Sequence, residues 1–595
     1  MRKTVLIFLL VVAGILHIES IFWFESRQPT EIIKEENVAV PMRDGVALRA
    51  DVWRPAGEDK FPVLVYRTPY NRKRNPDDAS LFRMAVERGY AVVMEDVRGR
   101  YGSDGDFNPY FQEGHDGYDT IEWAAKQSWA NGAVGTFGLS YPGAVQWLAA
   151  VENPPHLKAM VPAMTFSTPR NFIYSGGVFD GSWVGWIWDN IAPDVRMKKN
   201  LPGPRNGREA RQARAEAMPK IQRVLPLSAM TELRTEAPWY YEWLKHPPND
   251  KFWEPLELRG KSHLVSDQIA ILNFSGWYDE AYGPEGATTN FYAFQMKRKA
   301  LADSRNRLTI GPWPHGIPGP QASKAGERDF GSAAVIDYGE MVLRWMDHYV
   351  RGMDNGVERE PRVRAFVMGA NRWRESDWWP LRDTTQTLYL TAPKQPSGLG
   401  GLAWKKPQIS GAQNSSFVSD PSNPVTDPYP AYSGGHDYAS FAQRKDVLVF
   451  ETEPLANDVE VVGSIEAVMF LSCDAPDTDL WVKLLDVGPD GKAINLMSPG
   501  LDVLRASYRD PSYRQLLEPG KVYELRLSNL MTGNLFPKGH RIRVQISAAF
   551  FPHFSRNLHT GKLETNESGE MRKATIRIYH DGKHSSQIVL PVISR

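Results

Sequence analysis

The sequence predicts a chain of two architectures: a mostly parallel α/β sheet carrying a helical insertion, then an all-β domain. Three observations carry this. From about residue 46 to 167, near-continuous apolar strands alternate with helical stretches, which requires a parallel sheet covered on both faces. The rhythm breaks between 168 and 250 and resumes at Ile269-Ala-Ile-Leu-Asn-Phe274. Beyond 355 helices nearly vanish and strands follow one another through loops, the pattern of an antiparallel sandwich of jelly-roll type. The expected organisation is 1–27 as a leader or anchor, 28–167 and 251–355 as the α/β domain, 168–250 as a helical cap, and 356–595 as the jelly-roll domain.

In order, Ile32 to Val40 alternates weakly as an edge strand, Met42-Arg-Asp-Gly45 is a turn, and Val46 to Trp53 alternates as a second strand. Phe61-Pro-Val-Leu-Val-Tyr66 is an apolar strand running into Arg67-Thr-Pro-Tyr70. Ser80 to Arg88 reads as a helix closed by Gly89, and Tyr90 to Asp96 as a strand ending in acid. The glycine-rich loop Val97 to Gly105, a helix over His115 to Lys126 and a strand over Val134 to Phe137 follow. The insertion contains the aromatic run Ser182-Trp-Val-Gly-Trp-Ile-Trp-Asp189, whose tryptophans either line a pocket or pack the cap onto the sheet. After the Ile269 strand come Gly276-Trp-Tyr-Asp279, a helix over Ala287 to Arg298, the strand Arg307 to Ile310 with Gly311-Pro-Trp-Pro-His315, and a helix over Tyr338 to Tyr349. Further strands are expected at 361–368, 386–390, 446–452, 460–472, 479–487, 521–528, 540–549, 574–579 and 586–591.

The composition narrows the function classes. At 595 residues the chain holds two to four domains, and 70 basic against 70 acidic residues gives no electrostatic case for nucleic acid. The single cysteine, Cys473, excludes an intramolecular disulfide and a cysteine metal cluster, and its apolar surroundings mark a buried, inert thiol. Arg2 and Lys3 ahead of Val5–Leu16 form a basic and an apolar region of signal-peptide length. The expectation is export, periplasmic or extracellular, with the segment either cleaved or kept as an N-terminal anchor. No other apolar run is long enough to span a membrane.

The chemistry centres on Gly138-Leu-Ser-Tyr-Pro-Gly143, between the 134–137 strand and a following helix. A serine in a sharp strand-to-helix turn, with glycine at −2 and +3, fits a nucleophile elbow, although the usual +2 glycine is Pro142 here. The alternative is a tight turn that merely contains a serine. A serine nucleophile needs a base and an orienting carboxylate, which in parallel α/β hydrolases follow in the order Ser, Asp or Glu, His. Asp279 and His315 stand at strand ends in that order after Ser140.

Several motifs in their order, Arg67-Thr-Pro-Tyr70-Asn, Asp96 to Gly105, Asp116-Gly-Tyr-Asp-Thr-Ile-Glu-Trp-Ala-Ala125, the Ser140 hexapeptide, Gly276 to Asp279 and Gly311 to His315, resemble the CocE/NonD hydrolases. This is the cocaine esterase and X-Pro dipeptidyl-peptidase group. Pro361 to Trp373, Thr478 to Lys483 and Phe551 to Asn557 extend the resemblance through the C-terminal region. It implies an α/β-hydrolase fold with an inserted helical cap plus a C-terminal all-β jelly-roll domain. It also implies Ser140 as nucleophile, His315 as base, Asp279 as its orienter, and an oxyanion hole made by the Tyr70 hydroxyl and the Tyr141 amide, with no metal or cofactor. Tyr70 is otherwise a packed loop aromatic, and Asp474, Asp477 and Asp479 are read as loop acids rather than a calcium site.

The partner expected is a small ester, amide or short peptide. The α-amino-acid ester hydrolases of this group carry acids two and three positions after the triad aspartate to hold an ammonium, where this chain has Ala281 and Tyr282. An uncharged acyl group is therefore expected, with X-Pro dipeptidyl-peptidase activity as the alternative. A third reading is a secreted, non-catalytic binding protein whose jelly roll takes a glycan.

Overall fold

A ten-stranded sheet organises the first half of the computed structural model, which describes residues 31–73, 76–298, 305–382, 384–393, 398–408, 410–429, 433–498, 501–567 and 569–594. Its strands are β1 (Ile32–Pro41), β2 (Ala47–Pro55), β3 (Phe61–Thr68), β4 (Ala91–Asp96), β5 (Ala130–Leu139), β6 (Leu157–Ala163), β7 (Ala270–Tyr278), β8 (Asn306–Pro314), β9 (Val363–Val367) and β10 (Arg372–Ser376). The order across the sheet is β1-β2-β4-β3-β5-β6-β7-β8-β9-β10. Neighbours from β4 to β9 run parallel, and the antiparallel pairs β1–β2, β2–β4 and β9–β10 complete the two edges. The central strands β3, β4 and β7 are buried along their whole length, which explains their unbroken apolar runs. Helices Pro76–Glu87, Glu113–Ala125, Tyr141–Val151, Glu285–Arg298 and Tyr338–Tyr349 lie between the strands as crossovers. The N-terminal segment read as an export signal or anchor lies outside the described residues, and no described helix is long and apolar enough to cross a membrane.

The first sheet extends past the expected change of character at residue 355. The strand expected at 361–368 pairs in parallel with β8 through Leu308↔Val363 to Ile310↔Ala365, and β10 closes the edge as a hairpin. The helix Tyr338–Tyr349 supplies the crossover that a parallel strand needs, so the α/β rhythm runs one unit further than the strand spacing suggested.

The remaining strands, Thr384–Thr391 through Gln587–Val592, join a second, twelve-stranded sheet in an all-β domain. Its pairs are antiparallel except Gly400–Ala403 with Leu448–Glu451, and its inward faces enclose one aliphatic core that includes Cys473. Burial pushes the Cys473 thiol up to about 11. The loop acids Asp477 and Asp479 are engaged by Ser507 and by Arg505, a buried guanidinium held between Asp479 and Glu564.

The inserted segment is helical, with Ser182–Trp186, a π turn over Ile187–Ile191, Ala192–Lys199, Gly207–Ile221 and Pro238–Trp243. It sits over the carboxyl ends of the strands, and Arg100 ties it to the sheet. That guanidinium is fully buried. It donates to the Pro69 carbonyl at 3.0 Å, to Asn190 and Ile191 carbonyls at 2.8 and 3.2 Å, and faces Asp194 at 3.2 Å. Asp194 in turn accepts the Tyr101 amide at 3.0 Å. The all-β domain grips the insertion from the other side: the Gly181 amide donates to His553 at 2.7 Å and the Leu227 amide to Glu564 at 2.9 Å.

Replacing Arg100 by Met breaks one of the two ion pairs of buried Asp194, leaving Lys198 at 3.3 Å, and removes the guanidinium from three carbonyls. This is expected to cost about 3–5 kcal/mol, the usual penalty for breaking a buried ion pair. A urea titration should show the loss, and hydrogen exchange should place it at residues 190–194. A midpoint equal to wild type would show that Arg100 is not the tie.

Candidate active site

Ser140 is forced into its position by local sterics. Its backbone has φ 72 and ψ −128, a conformation that a non-glycine residue adopts only when its surroundings impose it. A Cβ on Gly138 would stand 2.5 Å from Pro142 Cβ, and one on Gly143 would stand 2.4 Å from the Ala163 carbonyl. Glycine at −2 lets the turn close, and glycine at +3 lets the helix Tyr141–Val151 pack against β6. The Ser140 carbonyl already accepts the Gly143 amide at 2.8 Å, so the serine caps the helix through its backbone and its side chain makes no cap hydrogen bond.

Tyr70, Ser140 and His315 line one cavity of about 370 Å³ at the carboxyl ends of β3, β5 and β8. That is the edge where parallel α/β sheets place their functional groups. Asp279 lies behind His315, fully buried, and its Oδ1 accepts the imidazole Nδ1–H at 2.8 Å. The same oxygen accepts the amides of Ala281 and Tyr282 at 3.1 and 3.3 Å, which fixes the carboxylate in its turn. With Nδ1 engaged, the free ring nitrogen of His315 is the basic one. Burial alone would lower the imidazole. The charge and hydrogen bond of Asp279 and the charge of Glu280 outweigh it and raise His315 above the ordinary 6.5.

Glu280 points away from the cavity. Its Oε2 accepts the His315 backbone amide at 3.0 Å, and burial raises its carboxyl above the ordinary range. With Asp180, Glu285 and Asp502 it lines a separate small cavity of about 70 Å³ behind Ala281 and Tyr282. Burial pushes Asp502 up to about 6.

Tyr70 follows β3 in a loop held by charge. The Arg72 amide donates to Asp96 at 2.7 Å, its guanidinium pairs with Asp96 and with Asp51, and Arg100 holds the Pro69 carbonyl. Trp186 Nε1–H donates to the Tyr70 oxygen at 3.1 Å, which leaves the phenolic hydrogen to face the Ser140 side. Burial, the largest influence, raises the Tyr70 phenol, and the hydrogen bonds of Trp186 and Ser140 offset part of the rise. The group is thus a neutral O–H donor at working pH. Tyr141 contributes differently. Its side chain turns out of the cavity, donates to Glu113 at 2.7 Å and accepts the Tyr110 amide at 3.0 Å. Glu113 pairs with the buried Arg67 at 2.9 Å. The anchored ring fixes the Tyr141 amide in the first helical turn, where N–H groups lack intrahelical partners.

The tryptophans divide between the two roles expected of them. Trp183 and Trp186 line the cavity, whereas Trp188 donates to the Ala210 carbonyl at 3.0 Å and packs the insertion. Tyr110 belongs to the lining although no motif flagged it, because its contacts join segments distant in sequence, and Tyr282, noted only as a position without an acid, also lines it. A strand-end tyrosine facing an aromatic-rich insertion was the available signal for Trp186.

An α/β sheet with this elbow and this His–Asp pair defines a hydrolase. Residues 44–317 match the model of the X-Pro dipeptidyl-peptidase (S15) family, and residues 355–589 match that of the X-Pro dipeptidyl-peptidase C-terminal non-catalytic domain. The chain is 34% identical to the cocaine esterase of Rhodococcus sp. (strain MB1 Bresler), over 94% of this chain and 98% of that one. Among solved structures, an α-amino acid ester hydrolase superposes with TM-score 0.77 at 25% identity, covering 95% and 97% of the two chains. An aminopeptidase from a marine sediment Thaumarchaeota archaeon superposes with TM-score 0.76 at 26% identity, covering 95% and 97%. The chain belongs to the CocE/NonD family of serine esterases and peptidases, with an α/β-hydrolase fold and an all-β C-terminal domain.

The raised imidazole sets a pH expectation. An imidazole that serves as a base must be neutral, so a kcat/KM that depends on His315 in that role should fall as pH drops through its value, with a midpoint above 6.5. Glu280→Gln removes one of the charges that raise it and should move the acid limb to lower pH. A limb that does not move would show that Glu280 acts on His315 only through its hydrogen bond.

Proposed function

We propose that this hydrolase is an acyl hydrolase for carboxylic esters or amides, working through a Ser140 acyl-enzyme. The observation that carries the reading is the 2.8 Å His315–Asp279 hydrogen bond facing the cavity that Ser140 and Tyr70 share. In acylation Ser140 Oγ attacks the carbonyl carbon while His315 takes its proton. The oxyanion rests on the Tyr70 hydroxyl and the Tyr141 amide, and His315 then protonates the leaving atom. In deacylation water attacks the acyl carbon, His315 takes its proton, and the bond to Oγ breaks as Ser140 regains a proton. Asp279 holds the imidazole and stabilises its cation.

The substrate reading rests on the lining. Tyrosines, tryptophans, Phe172, Ile317, Asn190 and Ala281 make up most of the wall, and among the described residues no carboxylate, lysine or arginine lines it. Such a wall suits an uncharged acyl group. The X-Pro dipeptidyl-peptidase reading retains the support of the family match. It needs a carboxylate for the peptide ammonium, and the nearest acids lie behind Ala281 and Tyr282. Membership in a hydrolase family leaves the non-catalytic binding reading without support. Export rests on the basic and apolar N-terminal sequence. A mature N-terminus found beyond residue 16 in a periplasmic or culture fraction would bear it out, and an intact Met1 on a cytoplasmic protein would overturn it.

A fluorophosphonate should add once to the wild type and not to Ser140→Ala, as read by intact mass. Absence of a wild-type adduct on folded protein would sink the acyl-enzyme reading. A panel of p-nitrophenyl esters, anilides and X-Pro anilides then separates esterase from dipeptidyl-peptidase. Comparable turnover of amino-acid esters with free and blocked amines is expected, and a strict need for the free amine would overturn the uncharged-acyl reading. Tyr70→Phe should lower kcat about a hundredfold with KM little changed, the usual loss for one oxyanion donor.

A further inference from the structure

Tyr282, three residues beyond Asp279, places a second phenol beside the serine. It lines the main cavity beside Ser140 and His315, and its ring centre is 5.7 Å from that of His315. Its amide donates to Asp279 Oδ1 at 3.3 Å, so one turn fixes both the imidazole's partner and this phenol. The hydroxyl is 3.0 Å from that of Tyr110. Tyr110 is held in turn: its ring stacks on Tyr141 at 4.3 Å and meets Phe166 and Phe172 edge-on at 5.4 and 5.5 Å. Its backbone has φ 71, an uncommon conformation for a bulky residue and one that clusters at functional sites. Burial raises both phenols, so each keeps its proton at working pH.

The position of Tyr282 follows from the reaction's geometry. The oxyanion points to Tyr70 and the Tyr141 amide. The leaving atom must lie against His315 to receive its proton, and the hydrolytic water later occupies the same place. A phenol that shares the cavity wall with Ser140 and sets its ring beside the imidazole borders that place. Whichever hydroxyl donates in that pair with Tyr110, the Tyr282 oxygen keeps a lone pair able to accept a hydrogen from water.

We propose that Tyr282, steadied by Tyr110, is a further catalytic group that positions the hydrolytic water for deacylation. The inference rests on the Ser140 acyl-enzyme reading. One hydrogen of the water goes to His315 as its oxygen bonds to the acyl carbon. The other is held by the Tyr282 oxygen, and the acyl–Oγ bond breaks with the proton returned from His315 to Ser140. Tyr282 gains and loses no proton.

The test is the lifetime of the acyl-enzyme, followed by rapid-quench intact mass after mixing with p-nitrophenyl butyrate. Tyr282→Phe should lengthen it about tenfold, the rate equivalent of one ordinary hydrogen bond, with a burst of p-nitrophenol. Fluorophosphonate labelling of Ser140 in the variant certifies an intact elbow. A lifetime within about twofold of wild type in a labelled variant, when one hydrogen bond predicts tenfold, would overturn the proposal. Should Tyr282→Phe fail to fold, Tyr110→Phe keeps the phenol but frees it. A several-fold longer lifetime is then expected, and an unchanged one overturns the proposal. A wild type that forms neither acyl nor phosphonyl adduct would instead defeat the acyl-enzyme reading itself.

Discussion

The arrangement around Ser140 depends on one buried guanidinium. Arg100 reaches from the glycine-rich loop after β4 to the carbonyl before Tyr70 and to two carbonyls of the π turn that follows Trp186. The two ends of the Trp186–Tyr70 hydrogen bond therefore hang from the same side chain. A buried arginine contributes little net stability, because desolvation offsets most of its attraction to Asp194. What it supplies is registry: five fixed donors accept only one relative placement of loop and insertion. A lysine could not replace it, since one ammonium cannot span three carbonyls and a carboxylate from a fixed plane.

Charge is kept one layer away from the reacting atoms. The cavity wall presents phenols, an imidazole and indoles, while Arg67, Arg100, Glu113 and Glu280 sit behind that wall. The layering has an electrostatic consequence. Neutral donors can meet a developing oxyanion in a dry site without an opposite charge that would bind ground state and transition state alike. The charges behind set the properties of the wall: Asp279 and Glu280 raise His315, and Glu113 holds the Tyr141 ring so that its amide stays in place. Burial itself keeps the tyrosines protonated, so the donors need no tuning by a partner cation.

What was legible in the sequence divides along the range of the forces involved. The elbow could be read because its constraint is local: Gly138 and Gly143 are excluded from bearing a Cβ by atoms within the turn and the adjacent strand. The order of Ser140, Asp279 and His315 could be read because parallel strands ending in polar residues announce the edge on which they meet. The glycine-to-proline change at position 142 did not disturb the turn, since a proline at the second helical position lacks only an N–H that would have no partner there. Tyr110 was not legible, and the roles of Trp186 and Tyr282 stayed open, because their places depend on how the insertion docks, and docking is fixed by Arg100 and by backbone bonds to the distant loop residues His553 and Glu564. Strand β9 was assigned to the wrong sheet for a related reason. Its residues suit either sheet, and only the helix before it, acting as a crossover, decides the partner.

The all-β domain takes part in this geometry although none of its described residues lines the main cavity. The Tyr278 hydroxyl, one residue before Asp279, donates to the Asn495 carbonyl at 2.9 Å. Trp277 donates to the Phe366 carbonyl at 2.7 Å, and the Met368 and Leu535 amides join the end of β9 to the second sheet. The turn bearing Asp279 is thus held between the two sheets. A carboxylate that orients an imidazole works only while its direction is fixed, because an amide or carbonyl at a slightly different angle would favour the other tautomer. Fixing that direction needs rigid backbone on both sides of the turn. The first sheet supplies one side through β7, and the second supplies the other through Asn495 and Gly533. The second domain is therefore a structural condition for a defined His315 tautomer, although among the described residues the first domain and its insertion supply the lining.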